Sequence, residues 1–464
     1  MGNLLSSLNL ASNAMDVIEQ AVGVVQNNVT NASTPGYVLQ TPTMVASPFD
    51  PQTGVTGGVQ FGPVQSARNQ FAEEAVRYQN SLLGTATQAA SSLDSLQQNF
   101  DVSGTSGIPA ALSNLYSAFS SWSATSTDSS AQQQVITAAQ QVAQAFNDTA
   151  SSVSQLAAAT HQQLQSTVTQ INQLSGEIQK INVQIRNGGS GDAGLDAQLN
   201  TDLESLSNLT SINVQYQSDG TVDVLMGGQT PLVMGATQNQ LSVGFTTPAN
   251  AANPDAPPAA AITTADGQDV TGTVSQGTLA GLLTFSNTTL AGILGDAQNA
   301  GSLNQLAQAF ANQVNSLVTP ASGIPLFTTS GGATSAAQTL AVNPNMTAAQ
   351  LVASSSASSN GTADQLAQLG SATDPTLGMG YTDFYANIAS DIGTQESTAA
   401  ASQTTQQDLL SQAQNTRSQV SGISLNQEAA QLIQFQQAYE ASAQTVTTIN
   451  NMLTALLDMT NGVA

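Results

Sequence analysis

Cysteine is absent from this chain of 464 residues. Disulfides and thiolate metal sites are therefore excluded, while the compartment is left open. Positive charge is scarce: five Lys plus Arg stand against 29 Asp plus Glu, a formal net charge of −24. A surface this acidic repels phosphate backbones and anionic lipid heads, so neither nucleic acid nor a membrane is an expected partner. Histidine occurs once, at His161, mid-helix among Gln and Thr, where it reads as an ordinary surface or packing residue. With one histidine and no cysteine, no transition-metal site is expected. Aromatics make up only 4% of the chain, so packing must come from Ala, Leu, Val and Ile. No apolar run of about 18 residues occurs, so nothing is expected to span a bilayer. The opening MGNLLSSLNLASNAMD has no basic stretch and no uninterrupted apolar stretch, so no cleavable signal peptide is expected.

The length calls for two or more domains. Near the start, Leu4, Leu8, Ala11, Met15, Ile18, Val22, Val25 and Val29 succeed one another at alternating steps of four and three, a heptad seam. At the far end Leu425, Leu432, Tyr439, Val446 and Leu453 recur every seven residues, with Phe435, Ile449 and Leu456 flanking the same stripe. Two amphipathic helices with matching seams, at opposite extremes of the chain, are expected to pair. Both have poor local propensity: Gly23 interrupts a Val-rich run, and TVTTIN (445–450) is β-branched. A helix-interior Gly costs about 1 kcal/mol against Ala, and isolated helices of this kind are marginal in water. The ends should therefore order on assembly. Between the first seam and the middle of the chain, Pro35 and Gly36 stop the helix and read as a hinge.

Helical periodicity returns over 68–100, up to Trp122, and over 131–186, where Leu164, Val168, Ile171, Leu174, Ile178, Ile181 and Ile185 keep steps of three and four. A further helix is predicted over 195–209. At Ile212 the period changes to two, and Asp219-Gly220 between alternating runs predicts a hairpin. More strands are expected near Leu232, over 241–245 and over 270–274, interrupted by an exposed loop, TTPANAANPDAPPAAA. Helices resume over 303–318 and 381–419, while 320–375 has no assignable element.

No constellation here resembles an active site. GGSGDAG (188–194) lacks the Lys and Ser/Thr of a phosphate loop and comes after a helix rather than a strand, so it reads as a flexible connection. Glu73, Glu74, Asp196 and Asp202 lie on polar helical faces and read as solvated. Trp122, Phe119 and Tyr116 share a helical face and read as core. No cofactor and no enzymatic activity are expected.

NNVTNASTPGYVLQ (27–40) resembles the signature near the start of bacterial flagellar rod, hook and hook-associated proteins, carried here by Asn27, Asn28, Asn31, Pro35, Gly36 and Tyr37. SGISLNQEAAQLIQFQQAYEASAQTV (421–446) is similar to the ending of the flagellar hook-associated protein 1 family. GTLAGLLTFSNTTL (277–290) and LAVNPNMTAAQLVASS (340–355) resemble internal segments of that family. Ser33 and Leu39 stand where the signature has Asn and Arg. The stretch between IPLF (324–327) and Leu340 is short where some members carry a large outer domain, so that domain is expected to be missing.

The resemblance implies a structural adaptor at the hook–filament junction. It implies a homo-oligomeric ring or helical turn of about eleven subunits, with the hook protein and a second junction protein, hook-associated protein 3, as neighbours. It also implies an export chaperone at the C-terminal helix and an extracellular place on the flagellum, reached by type III export without a cleaved signal. The readings left open are another axial component, hook or rod, and a secreted enzyme or adhesin on a helical stalk.

The expected fold is mainly α with an inserted β domain, in an elongated multi-domain axial protein. Residues 1–36 with 424–464 form a terminal coiled coil, 37–210 with 285–423 a long helical bundle, and 211–284 a small β-rich outer domain.

Overall fold

A computed structural model describes residues 2–50, 55–249, 251–254, 256–355 and 358–461. The chain opens with α1 (Gly2–Thr30), then six short strands: β1 (Gln40–Thr41), β2 (Met44–Ala46), β3 (Phe49–Asp50), β4 (Val55–Thr56), β5 (Val59–Phe61) and β6 (Gln65–Ser66). They pair first with last, β1 to β6, β2 to β5 and β3 to β4, as one interrupted antiparallel hairpin. No strand was expected there. Pro42, Pro48 and Pro63 sit in the gaps, where a residue without an N–H breaks the ladder and hides the alternation.

Three helices come next: α2 (Gln70–Gln97), α3 (Gly107–Ala124) and α4 (Ser129–Gln184). After a π-helical turn come α5 (Ala193–Leu209) and the strands β7 (Ile212–Tyr216), β8 (Val222–Met226), β9 (Thr230–Met234), β10 (Thr237–Gln238), β11 (Leu241–Thr246) and β12 (Ala259–Thr264). The return path is α6 (Thr278–Thr284), α7 (Ala291–Leu294), α8 (Ser302–Ser322), β13 (Phe327–Thr328), α9 (Ala336–Thr339), β14 (Ala341–Val342), α10 (Gly361–Gln368), α11 (Tyr381–Ser421) and α12 (Leu425–Asn461).

The spine is α4, whose 56 residues span about 84 Å at 1.5 Å per residue. Asp128 starts it by accepting the Ser130 N–H at 2.8 Å, a side-chain cap for an otherwise orphaned donor. Two cores line its length. Around the first half, Val135, Val142 and Phe146 pack with Leu112, Phe119 and Trp122 of α3, Phe310 of α8 and Tyr385 of α11. The segment 320–375 closes this core with Leu326, Phe327, Leu340 and Leu351. Its short elements of two to eight residues leave no period to read.

Around the second half, Leu164, Ile171, Ile178 and Ile181 pack with Leu203 and Leu206 of α5 and with Val222, Val224 and Met226 of β8. The strands thus share a core with α4, α5 and α6 instead of enclosing one of their own. The sheet runs β10-β9-β8-β7, all antiparallel, with Tyr216 opposite Val222 across the predicted Asp219-Gly220 turn. Two asparagines of α4 clamp strands to the helix through both ends of their amides. Asn182 Nδ2 donates to the Val222 carbonyl at 2.8 Å and its Oδ1 accepts the Val222 N–H at 3.0 Å. Asn172 treats Leu241 the same way, at 2.8 and 2.9 Å. β12 begins within the last three residues of the stretch expected as an exposed loop, and the strand expected over 270–274 is a single 3-10 turn. His161 stacks on Phe245 of β11 with ring centroids 4.1 Å apart, and burial lowers its pKa.

Candidate functional site: the paired ends and their base

α1 and α12 pack on each other at one end of the molecule, antiparallel, with Asn28 meeting Glu428 at their base. On α1, Ala11, Ile18 and Val25 are buried, Leu4, Leu8, Met15 and Val22 half-buried, and Val29 is exposed. Val17, Ala21 and Asn28, outside the expected stripe, are buried instead. The reason is a second neighbour: the 40–66 hairpin lies along α1, Leu10 touching where a side chain at Gly58 would go. A helix covered on two sides buries a wider arc than one seam. On α12, Ile449 is buried, Leu432, Phe435, Val446, Leu453 and Leu456 are half-buried, and Leu425 and Tyr439 are exposed.

The signature around the turn folds into two hydrogen-bonded knots. In the first, Asn31 Nδ2 donates to Asn27 Oδ1 at 2.6 Å, and the Thr34 hydroxyl donates to Asn31 Oδ1 at 3.1 Å. This ends α1 at Thr30, before Pro35 is reached.

The second knot is Asn28, 1% exposed. Its Nδ2 donates to the Gln40 carbonyl and to Glu428 Oε2, both at 2.8 Å. Its Oδ1 accepts the Gln40 N–H at 3.0 Å and the Tyr37 hydroxyl at 3.3 Å. One amide thus joins α1, the exit strand and α12. Glu428 is equally buried, and burial, with the Glu428 charge, raises the Tyr37 pKa. A buried polar group that loses its partner costs about 1–3 kcal/mol, so the knot fixes the register of the two helices as a lone polar residue does in a coiled coil.

Below the knots, the turn read as a hinge is strapped to the body. Gly36 adopts φ +71°, and a Cβ there would lie 2.3 Å from the Ala197 carbonyl of α5; only glycine fits both demands. Arg68 Nη2 donates to the Gly36 carbonyl at 2.7 Å and reaches Asp196 Oδ2 at 2.8 Å, while Nη1 lies 2.6 Å from Glu73 Oε1. Arg417 of α11 completes the chain, its Nη1 3.1 Å from Glu73 Oε2 and 2.7 Å from Glu204 Oε2. Burial alone would lower the Arg417 pKa, but Glu204 and Glu73 outweigh it and raise it. Two of the five cations therefore stand at the base of the terminal pair.

Sequence reasoning missed this network. Glu73 and Asp202, read as solvated, are 3% and 9% exposed, and one of the two arginines that hold Glu73, Arg417, lies 344 residues away. It also missed Ser421, 2% exposed. The Ser421 hydroxyl donates to the Ala67 carbonyl at 2.9 Å, and its carbonyl accepts the Leu39 N–H at 3.1 Å. Leu39 thus holds its place through the backbone, and Ser33 is exposed.

Asp202 of α5 has its Oδ2 buried without a hydrogen-bond partner among the described residues. Burial, then the Glu177 charge, raises its pKa from 3.8 to about 6. The fold therefore binds a proton here more tightly than the unfolded chain, and stability falls as pH rises between the two values. Asp202→Asn is expected to stabilise by on the order of 1–3 kcal/mol near pH 8, and by little near pH 4, in denaturant titrations at both pH values. Equal effects at the two pH values would refute it.

This architecture defines a class: an elongated, mainly α protein whose two ends pair and are strapped to a two-core body. The chain belongs to the flagellar hook-associated protein FlgK family, the model of whose helical domain matches residues 93–332. A second model, of the flagellar basal body rod FlgEFG protein C-terminal region, matches residues 414–459, the span that holds Arg417, Ser421 and Glu428. Flagellar hook-associated protein 1 of Bacillus subtilis (strain 168) is 25% identical over 503 residues, 99% of each chain. That of Escherichia coli (strain K12) is 37% identical over 79 residues, 17% of this chain and 14% of its own. Among solved structures, the flagellar hook junction protein FlgK from Burkholderia pseudomallei is 26% identical with a TM-score of 0.47, covering 55% of this chain and 47% of that one. The chain thus spans about half the length of that solved relative. No described helix is long and apolar enough to cross a membrane.

Proposed function

We propose that the chain is a non-enzymatic adaptor at the hook–filament junction of the bacterial flagellum, assembled through its terminal pair. The observation that carries this reading is where apolar surface is exposed. Among the described residues, the exposed large apolar side chains, all but Val102, Met234 and Val352, lie between Leu5 and Tyr78 or between Leu409 and Met459. Both stretches belong to one end, since α2 and α11 run antiparallel, with Glu73 beside Arg417 and Gln97 beside Gly393. Concentrated apolar exposure marks an interaction surface.

The surface extends the expected stripes: Leu425 and Tyr439 are joined by Ile433 and Met452 on α12, Leu5 on α1, and Met44, Val45 and Phe49 on the hairpin. In this reading 1–36 with 424–464 is the assembly unit, and its neighbours are further copies of the chain, the hook protein and the next junction protein. Asp16, Glu19, Glu440 and Asp458 are the exposed charges of the two helices, all acidic. Apolar packing, not ion pairing, then sets the geometry, and moderate salt eases assembly by screening like charges. Export to the extracellular flagellum, without a cleaved signal, belongs to the same reading. Cells lacking the protein should keep intact hooks and lose filaments, with the tagged protein found at the distal end of isolated hooks. Loss of the hooks themselves would make it a hook or rod component instead.

A further inference from the structure

Three Asn–Gly pairs occur, Asn187–Gly188, Asn360–Gly361 and Asn461–Gly462, the last reaching past the described residues. We propose that Asn187–Gly188 is a site of spontaneous deamidation and β-aspartyl formation in the folded protein, and that the fold protects Asn360–Gly361. In the reaction the Gly188 backbone nitrogen attacks Asn187 Cγ. An N–Cγ bond forms, the Cγ–Nδ2 bond breaks, and ammonia leaves with the amide proton. Water then opens the cyclic imide at either carbonyl, leaving aspartate or a β-linked isoaspartate at 187. Glycine is the favourable successor because it puts no side chain in the way of its own nitrogen.

The two pairs share this chemistry and differ in surroundings. Asn187 and Gly188 are both exposed, and the Asn187 side chain bonds to no described residue. Nothing lies within 4 Å of the place a Cβ on Gly188 would take, and its φ of +111° has already left the helix. Within the π-helical turn Ile185–Gly189, the Asn187 side chain can therefore swing toward the Gly188 nitrogen without giving up a side-chain hydrogen bond.

Asn360–Gly361 is held at every atom the reaction needs. The Gly361 N–H donates to the Ser358 carbonyl at 3.4 Å, and Asn360 Oδ1 accepts the Ser358 hydroxyl at 2.9 Å. Asn360 Nδ2 donates to the Ser123 carbonyl at 3.4 Å. A Cβ on Gly361 would meet the Ser355 side chain, so the backbone is boxed as well.

Conversion at 187 has a local consequence. A new carboxylate stands beside Arg186, which faces Asp219 of the β7–β8 turn at 3.9 Å, and the β-linkage lengthens the connection into α5. Asp192, four residues from Asp196, caps that helix by accepting the Gly194 and Leu195 N–H groups.

The test is peptide mapping by mass spectrometry of the full-length protein, incubated at mildly alkaline pH in native buffer and in denaturant. Native protein should convert at Asn187 about tenfold faster than at Asn360, a factor one hydrogen bond can supply. In denaturant the two rates should converge. An intact Asn187, or an Asn360 that keeps pace in native buffer, overturns the proposal. So does the same rate ratio in denaturant, since the fold would then not be the cause. Asn187→Gln should abolish the β-aspartyl signal from its peptide with no shift in melting temperature; a signal that persists also overturns it.

Discussion

A chain lacking residues 1–30 and 425–464 is expected to stay folded and monomeric while losing all incorporation into the junction. Neither core contains a residue of α1 or α12, so their removal opens no cavity in the body. Among the described residues of α12, Ile449 and Glu428 are the ones fully buried, while Leu432, Phe435, Val446, Leu453 and Leu456 stay half-exposed along the seam. Gly23 and the β-branched 445–449 run weaken the pair further. The deletion takes out Asn28 and Glu428 together, so neither is left buried without its partner, the step that makes single removals costly. Far-UV circular dichroism with thermal melting, beside co-sedimentation with isolated hooks, separates the possible results. Loss of the cooperative melt would make the ends part of the core. Retained co-sedimentation would move the interface to the hairpin and α2, where Phe49, Phe71 and Tyr78 are exposed.

How far the sequence could anticipate this architecture depended on the range of the forces involved. α4 was legible because Leu164, Ile171 and Ile178 repeat a local period, and the β7–β8 hairpin because Asp219-Gly220 is a local turn signal. The 40–66 hairpin was not, since its prolines erase the alternation. On α1 the burial spreads beyond the expected stripe to Val17 and Ala21 because the unforeseen hairpin covers that side. The motif residues around the turn could be named from their resemblance, but their roles needed distant partners. Asn28 needs Glu428, 400 residues away, and Gly36 needs the helix that carries Ala197. A buried carboxylate such as Glu73 looks like any exposed one until its arginines are found. Composition held one clue: where cations are this rare, each calls for a search for the carboxylates that keep it.

Arg68 gives that clue its sharpest test, and Arg68→Ala is expected to cost about 3–5 kcal/mol, the usual penalty for breaking a buried ion pair from one side. The substitution strands Glu73, 3% exposed, with only Arg417 at 3.1 Å, and frees Asp196 and the Gly36 carbonyl. Arg68→Lys should recover only part of the loss, because one ammonium cannot serve three acceptors in the directions that a planar guanidinium spans. Adding Glu73→Gln to Arg68→Ala should cost much less than the two single effects summed, since contacting residues in one network couple by about 0.5–3 kcal/mol. Denaturant titrations of the four proteins give the cycle, and hydrogen exchange locates the damage. Residues 27–40 should lose protection first, while the core around Phe146 keeps it. The terminal pair would then sit on a loosened base, and assembly should weaken even though every residue of its apolar surface is intact. A cost below about 1 kcal/mol, as for a surface ion pair, would mean that the strap does not hold the turn, and the packing of Gly36 on α5 would have to aim the pair alone.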